Sequence, residues 1–202
     1  MIVIIDYGVG NLRSVQNGFA EAGYTTVISG DPRDLEAADG LVLPGVGAFG
    51  RAMDNLRRDG LDRIVLRQVR KGVPLLGICV GLQLLFDSSE ELGLHRGLGL
   101  IPGEVVKFSG ELKIPQIGWN QLEIRREHPL LAGVEDGDYF YFVHSFHARP
   151  HNPQVVLAES HYGIPFTAVV QKENIFGIQF HPEKSSRLGL KILQNYGRLV
   201  EC

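Results

Sequence analysis

The sequence is poor in the features that assign a chain to a special class. Two cysteines, Cys79 and Cys202, stand in 202 residues. They are too few for a disulfide framework and form no metal-site spacing, which fits a reducing compartment. No sign of charge dominates, since 20 Lys plus Arg against 23 Asp plus Glu leave a formal net charge of −3. No basic run supplies the electrostatic footprint of a nucleic-acid-binding protein. No apolar stretch approaches the ~20 residues of a membrane span. The opening Met1-Ile2-Val3-Ile4-Ile5-Asp6 has no basic lead and too short an apolar run for a signal peptide, and it reads as a first strand. A cytoplasmic protein with no nucleic-acid and no membrane partner is expected. The 44% hydrophobic and 21% charged composition suits a globular chain. Without linker, low-complexity tract or repeat, residues 1–202 are read as a single α/β domain with a sizeable core.

What the chain does have is the stretch Val73-Pro74-Leu75-Leu76-Gly77-Ile78-Cys79-Val80-Gly81-Leu82-Gln83-Leu84-Leu85-Phe86. An apolar run ends at a cysteine with glycine two residues before it and two residues after it, and an amphipathic segment follows. The pattern predicts a buried strand, a tight turn and a helix, with Cys79 at the apex. Such a turn points a nucleophile at a helix N-terminus, whose field favours a thiolate. Small flanking residues permit the sharp change of direction. A buried structural cysteine fits this stretch as well, because free cysteine is among the most buried residue types.

Ahead of it, Ile2–Ile5 is continuously apolar, as for a strand covered on both faces. Gly8-Val9-Gly10-Asn11 is a turn with Asn11 as N-cap, and Leu12, Val15, Phe19 and Ala22 keep helical spacing until Gly23. Arg13 stands where a dinucleotide fingerprint needs its third glycine, so a phosphate site is the minor reading. Strands are expected at 25–28 and 40–43. Pro44-Gly45-Val46-Gly47-Ala48-Phe49-Gly50 follows the second of them, at a strand end where α/β proteins place sites, but by itself reads as a crossover. One helical pattern then runs through Met53, Leu56, Leu61, Ile64, Val65 and Val69 to Gly72. The order strand, helix, strand, strand, helix, strand, helix up to Phe86 predicts a parallel sheet with crossovers.

Beyond Gly93, glycines and prolines from Gly97 through Gly110 to Pro115 punctuate short strands, expected at 105–106, 121–124, 138–143, 155–158, 166–170 and 175–180. They read as antiparallel and as an extension of the same sheet. A last helix carries Leu188, Ile192, Leu193, Tyr196, Leu199 and Val200 on one face, for packing against that sheet.

Just before this helix comes Gly177-Ile178-Gln179-Phe180-His181-Pro182-Glu183. Proline disfavours a helical conformation at His181, so the segment is expected to be extended, with His181 and Glu183 on one side. A thiol nucleophile needs a base, and the base needs a group that holds its tautomer. Cys79, His181 and Glu183 supply these in chain order. One His-x-Glu among seven histidines is a weak signal; joined to the elbow and the proline spacer it is a stronger one.

Gly77-x-Cys79-x-Gly81-x-Gln83 followed by Phe180-His181-Pro182-Glu183 resembles the class I glutamine amidotransferases. Six stretches extend the resemblance, in order, over nearly the whole chain, and most closely to the glutaminase subunits of imidazole glycerol phosphate synthase. They are Ile4 to Ser14, Leu43 to Gly50, Gly77 to Gln83, Ile117-Gly118-Trp119-Asn120, Val143-His144-Ser145-Phe146, and Gln179 to Ser186. The resemblance implies a flavodoxin-like fold, with a mostly parallel central sheet flanked by helices and antiparallel strands in the C-terminal half.

It also implies roles. Cys79 attacks glutamine to form a thioester, His181 moves the proton, and Glu183 orients His181. The Pro44-Gly45-Val46-Gly47 loop and the residue after the elbow supply oxyanion donors from the N–H groups of Val46 and Val80. In this family the loop is held to be misaligned until the partner signals, and a glycine-flanked peptide is one that can flip. Gly45, Gly47, Gln83 and the segment Val143, His144, Ser145, Phe146 hold the substrate. No cofactor and no metal are implied. The implied partner is a (β/α)8-barrel cyclase subunit in a heterodimer, which uses the ammonia on the phosphorylated ribulosyl substrate PRFAR. Asn11, Trp119, Asn120 and Lys184 are the interface candidates. Trp119 reads equally as a core residue and Lys184 as a solvated one; a salt bridge from Lys184 would link docking to the site.

Three other readings are weighed. A glutaminase serving anthranilate, carbamoyl phosphate or pyridoxal phosphate synthesis would share Cys79, His181 and Glu183, but the Asp6-Tyr7-Gly8-Val9-Gly10-Asn11 opening and Pro44-Gly45-Val46-Gly47 favour the histidine pathway. A binding module that has lost catalysis is disfavoured because every required residue is present. A cysteine peptidase is disfavoured by Gln83 and the His-Pro-Glu ending.

Overall fold

The computed structural model describes residues 1–109 and 113–201, so Gly110 and Cys202 lie outside the described residues. Ile2–Ile5 form β1, buried on both faces as its unbroken apolar run requires. A turn leads to α1 (Leu12–Glu21), which buries Val15, Gly18 and Phe19, and Gly23 at φ +95° follows its end. Asn11 does stand at the N-cap position, but its side chain makes no capping hydrogen bond. Its φ of −91° and ψ of 62° are outside the extended region from which a cap side chain reaches the first turn.

β2 (Thr26–Ser29) and β3 (Gly40–Gly45) both pair parallel with β1. Parallel neighbours need a crossover, and α2 (Pro32–Glu36) supplies one that the apolar spacing does not reveal. Its signal is at its start: Asp31 accepts from the Arg33 N–H at 2.9 Å, with Pro32 beside it. The single long helix expected after β3 is two, α3 (Phe49–Arg58) and α4 (Leu61–Arg70), divided at Gly60 with φ +71°. Both halves bury apolar faces, so the spacing of hydrophobic residues continues across the break.

β4 (Leu75–Cys79) is buried throughout and parallel to β3. α5 (Val80–Leu84) begins at the next residue and is only five residues long, shorter than expected, because Phe86 already belongs to β5 (Phe86–Ser89). The following strands are β6 (His95–Arg96), β7 (Ile101–Lys107), β8 (Gln116–Gln121) and β9 (Glu123–Ile124). Next come β10 (Tyr139–His144), β11 (Phe146–Pro150), β12 (Val156–Tyr162), β13 (Ile164–Lys172) and β14 (Ile175–Ile178), and α6 (Ser186–Glu201) closes the described chain.

The largest sheet runs β2-β1-β3-β4-β14-β13-β12-β9. The later strands are therefore not all an antiparallel extension of it. β14 pairs parallel with β4, and only β13, β12 and β9 add antiparallel. β11-β7-β5-β6 form a second sheet, and β8 and β10 an antiparallel ribbon. The strand expected at 121–124 is divided between β8 and β9 at the fully buried Leu122. Strand length and spacing do not encode these partners, because each pairing is decided by contacts far apart in the chain.

α1 and α6 pack closely: a Cβ on Gly18 would stand 2.8 Å from Leu193 Cδ1. From α6, Ile192, Leu193 and Tyr196 enter the core. The Tyr196 hydroxyl lies 2.7 Å from the Leu41 carbonyl and 2.9 Å from that of Pro74, and can donate to either. It thus ties the helix to the entries of β3 and β4. Tyr196→Phe keeps the ring and removes this buried hydrogen bond, while the Pro74 carbonyl still accepts from the Leu41 N–H, so a loss of about 1 kcal/mol is expected. A fall in the urea midpoint at unchanged slope would measure it.

Candidate active site

β3 and β4 end side by side, with Gly45 opposite Cys79 in register. The chain turns from β4 into α5 at Cys79 itself, with φ +56° and ψ −112°, a conformation that side-chain-bearing residues rarely adopt. The flanking glycines do not take this strained conformation; they make room for it. A Cβ on Gly77 would lie 2.6 Å from the Gly81 carbonyl oxygen, and one on Gly81 would run into the Leu43 carbonyl. Cys79 is buried among its neighbours and yet lines a cavity. Its sulfur stands 3.8 Å from the Val143 carbonyl oxygen and 3.8 Å from Gln179 Nε2.

β14 lies next to β4 in the same direction, with Ile178 opposite Ile78. The chain leaving it therefore reaches the end of the sheet at which Cys79 stands. His181 is extended there, but Pro182–Lys184 form a short 3₁₀ helix in place of the extended segment expected. The turn brings Glu183 back, so that its Oε1 accepts from His181 Nδ1 at 2.9 Å. The other ring nitrogen is left for Cys79, which is near enough to raise the His181 pKa. Three further bonds pin this segment: the His181 N–H donates to the Tyr141 carbonyl at 2.9 Å, Ser185 Oγ donates to the His181 carbonyl at 2.6 Å, and the Tyr141 N–H donates to Ser185 Oγ at 3.0 Å. Ser185 is thus a support that the motif contained but chain spacing could not assign. Burial alone would lower the His181 pKa, but hydrogen bonds and charge at Cys79 and Glu183 outweigh it and raise it to about 10.

The cavity over the sulfur measures about 280 Å³, at the small end of the ~300–1,000 Å³ typical of small-molecule sites. Val46, Gly47 and Val80 line one side, and Gln83, Val143, His144, Ser145 and Phe146 another, all singled out from sequence. Gly45 stands behind this wall: a Cβ there would meet Gly81 N at 2.8 Å and Val80 Cβ at 2.9 Å. Gln83 Nε2 donates to the Phe146 carbonyl at 3.0 Å and to Gln179 Oε1 at 3.1 Å, leaving its own oxygen as the group that can accept. The sequence reading missed Glu91 and Pro115, both in the lining. Glu91 Oε2 accepts from the Phe49 N–H at 2.6 Å, so a carboxylate faces the cavity from beside α3. Only its place in a turn after a half-buried strand could have signalled it. Among the described residues, no group of three or more His, Cys, Asp or Glu is placed to hold a metal ion.

Of the four interface candidates, only Lys184 lines the cavity. It forms no salt bridge among the described residues; its ammonium stands 5.9 Å over the Tyr141 ring. Trp119 is 52% exposed, which removes the core reading, and it meets Tyr141 edge-on at 6.0 Å. Asn120 is tied down, donating to the His161 carbonyl at 2.8 Å and accepting from the Gln121 N–H at 2.9 Å. Asn11 is exposed at the start of α1.

The fold agrees with comparisons to known proteins. The family model for class-I glutamine amidotransferases matches residues 3–197, and the chain belongs to that family. It is 52% identical over 204 residues to imidazole glycerol phosphate synthase subunit HisH of Syntrophotalea carbinolica, covering 98% of this chain and 99% of that one. It is 50% identical to the same subunit of Geobacter sulfurreducens (98% of each chain) and of Aquifex aeolicus (98% and 97%). Within the family it is a member of the HisH group. Solved structures share the fold at lower identity. A crystal structure of a glutamine amidotransferase superimposes with a TM-score of 0.78 at 19% identity over 100% of both chains. PurLQS from Thermotoga maritima gives 0.77 at 20%, covering 98% and 97%. The α/β fold is that of the class I glutamine amidotransferases.

His144 makes folding pH-dependent. The Phe146 carbonyl, 2.8 Å from Nδ1, can only accept, so Nδ1 carries the proton and Nε2 is left buried without a partner among the described residues. Burial lowers the His144 pKa to about 4. Between pH 6.5 and 4 the unfolded chain therefore binds the proton that folded His144 refuses, and stability falls as pH falls. The loss is on the order of 3 kcal/mol. Comparing denaturation of the native chain and His144→Asn at pH 7 and pH 4.5 isolates it: the native chain should lose more, and equal losses would mean that His144 is hydrated.

Proposed function

We propose that this chain is the glutaminase subunit of an imidazole glycerol phosphate synthase, with Cys79, His181 and Glu183 as its catalytic residues. The observation that carries the reading is the strained Cys79 elbow and a histidine whose Nδ1 is held by a buried carboxylate, both lining one small cavity. Cys79 Sγ attacks the side-chain amide carbon of glutamine. The thiol proton passes through His181 to the leaving nitrogen, the C–N bond breaks, and a γ-glutamyl thioester and ammonia result. Water then attacks the thioester, giving its proton to His181, the C–S bond breaks, and glutamate leaves as the thiol is restored. A raised imidazole pKa suits the delivery step, because the proton is held on His181 until an amine takes it. The N–H groups of Val46 and Val80 would stabilise the oxyanion. Gln83 and the Val143–Phe146 segment would hold the amino-acid end, with Glu91 as a counter-charge for its ammonium.

Free ammonia is largely protonated at neutral pH, so its use calls for a sheltered route to an acceptor site. The partner we infer is a (β/α)8-barrel cyclase subunit that converts PRFAR to imidazole glycerol phosphate and AICAR. Two things favour such a partner: the relatives are named as subunits, and Trp119, Tyr141 and Lys184 form an aromatic-cationic strip leading to the cavity. Tryptophan and tyrosine are enriched at binding hot spots. No described helix is long and apolar enough to cross a membrane, and a cytoplasmic heterodimer is the setting we infer.

Two experiments test this. The isolated chain should have little glutaminase activity, and adding the cyclase subunit with PRFAR should raise it strongly; full activity without that subunit would sink the coupling. A glutamine-analogue alkylator should label Cys79 and spare Cys202, and labelling retained in Cys79→Ser would remove Cys79 from the nucleophile role.

A further inference from the structure

Tyr7 stands two residues past the end of β1 and is fully buried, and its hydroxyl donates to the Pro44 carbonyl at 2.6 Å. Nothing in the proposed chemistry uses this residue. Pro44 is the penultimate residue of β3, and the loop that lines the cavity starts after it. A peptide unit is planar, so holding the Pro44 carbonyl also fixes the direction of the Gly45 N–H and the point from which the loop departs. Tyr7 also limits the loop sideways, since a Cβ on Gly45 would come within 3.0 Å of the Tyr7 hydroxyl oxygen. At the other end, Glu91 holds the Phe49 N–H at 2.6 Å. Between these anchors the chain is open to its surroundings: Val46 is 42% exposed, and Gly47, at φ +87°, has no atom within 4 Å of where a Cβ would lie. Burial and the nearby Cys79 raise the Tyr7 pKa well above its ordinary value, so the hydroxyl remains a donor at working pH.

We propose that Tyr7 is a positioning residue for the glutaminase reaction: its hydroxyl clamps the Pro44–Gly45 peptide and so sets where the Val46 N–H stands relative to Cys79. The proposal rests on the glutaminase reading and adds a residue that never touches the substrate. Donors that stabilise an oxyanion act on the transition state, where loss of one costs about 10²–10³-fold in rate. Loosening the anchor should therefore appear in kcat with little change in KM.

The test is Tyr7→Phe and Tyr7→Leu in the full chain assembled with its cyclase subunit, with kcat and KM for glutamine, the melting temperature and the rate of Cys79 alkylation by iodoacetamide as readouts. Tyr7→Phe should lower kcat by about tenfold to a hundredfold, leave KM within about threefold and leave the alkylation rate unchanged. Tyr7→Leu should match it in kcat while melting lower. A Tyr7→Phe enzyme within twofold of native kcat, a loss confined to KM, or a kcat loss seen only in Tyr7→Leu would each overturn the clamp. A Cys79→Ser enzyme that keeps its activity would instead overturn the glutaminase reading beneath it.

Discussion

The site depends on one close approach, that of the backbone at residues 77–81 to the end of β3. Gly81 lies under the Leu43 carbonyl and Gly77 against the Gly81 carbonyl, with no space for a Cβ at either position. Two strands and a helix start can meet this closely only through bare backbone, and the remaining distortion falls on Cys79 at φ +56°. A non-glycine residue held there costs on the order of 1–3 kcal/mol. The surroundings offset that cost: β3 and β4 are buried along their whole length, and each large apolar side chain they bury contributes roughly 1.5–3 kcal/mol. The Cys79 sulfur is therefore positioned by packing, and the backbone strain at this residue is held by the core.

The same sheet carries the other half of the site. β14 runs parallel to β4, so the chain entering His181 leaves the sheet at the end where Cys79 sits, although about 100 residues separate them. A tight 3₁₀ turn then lets Glu183 reach back to His181, and Gly18 of α1 lies behind it, where a Cβ would come within 2.8 Å of Leu193 Cδ1. Burial and charge oppose each other at this pair. Burial disfavours a charged imidazole, and its two partners favour it more strongly. The neighbouring His144 has burial without such partners and is pushed the other way.

Legibility in the sequence varied with how local the cause was. Continuous apolar runs marked β1, β3 and β4 because strands covered on both faces need no alternation. α2 escaped notice because five residues cannot display a helical period, although its Asp31-Pro32 start is a local signal. The break at Gly60 was hidden because the helices on both sides of it bury apolar faces. The second sheet and the β8–β10 ribbon were illegible for a different reason. Short strands bounded by glycine and proline carry a face pattern but no label for their partner.

At the site, local chemistry had already named Cys79, His181 and Glu183 from the elbow, the proline and the two-residue spacing, and the family resemblance extended that to most of the cavity wall. Those readings follow from the sequence because a turn, a cap or a tautomer-holding pair is decided within a few residues. The tertiary structure alone decided what approaches from far along the chain. It placed the positive φ on the cysteine and set Ser185 Oγ between the His181 carbonyl and the Tyr141 N–H. It brought Glu91 into the wall and set Tyr7 against Pro44, 37 residues away in sequence. Contacts across such separations are set by how the sheets pack, which no stretch of this sequence contains by itself.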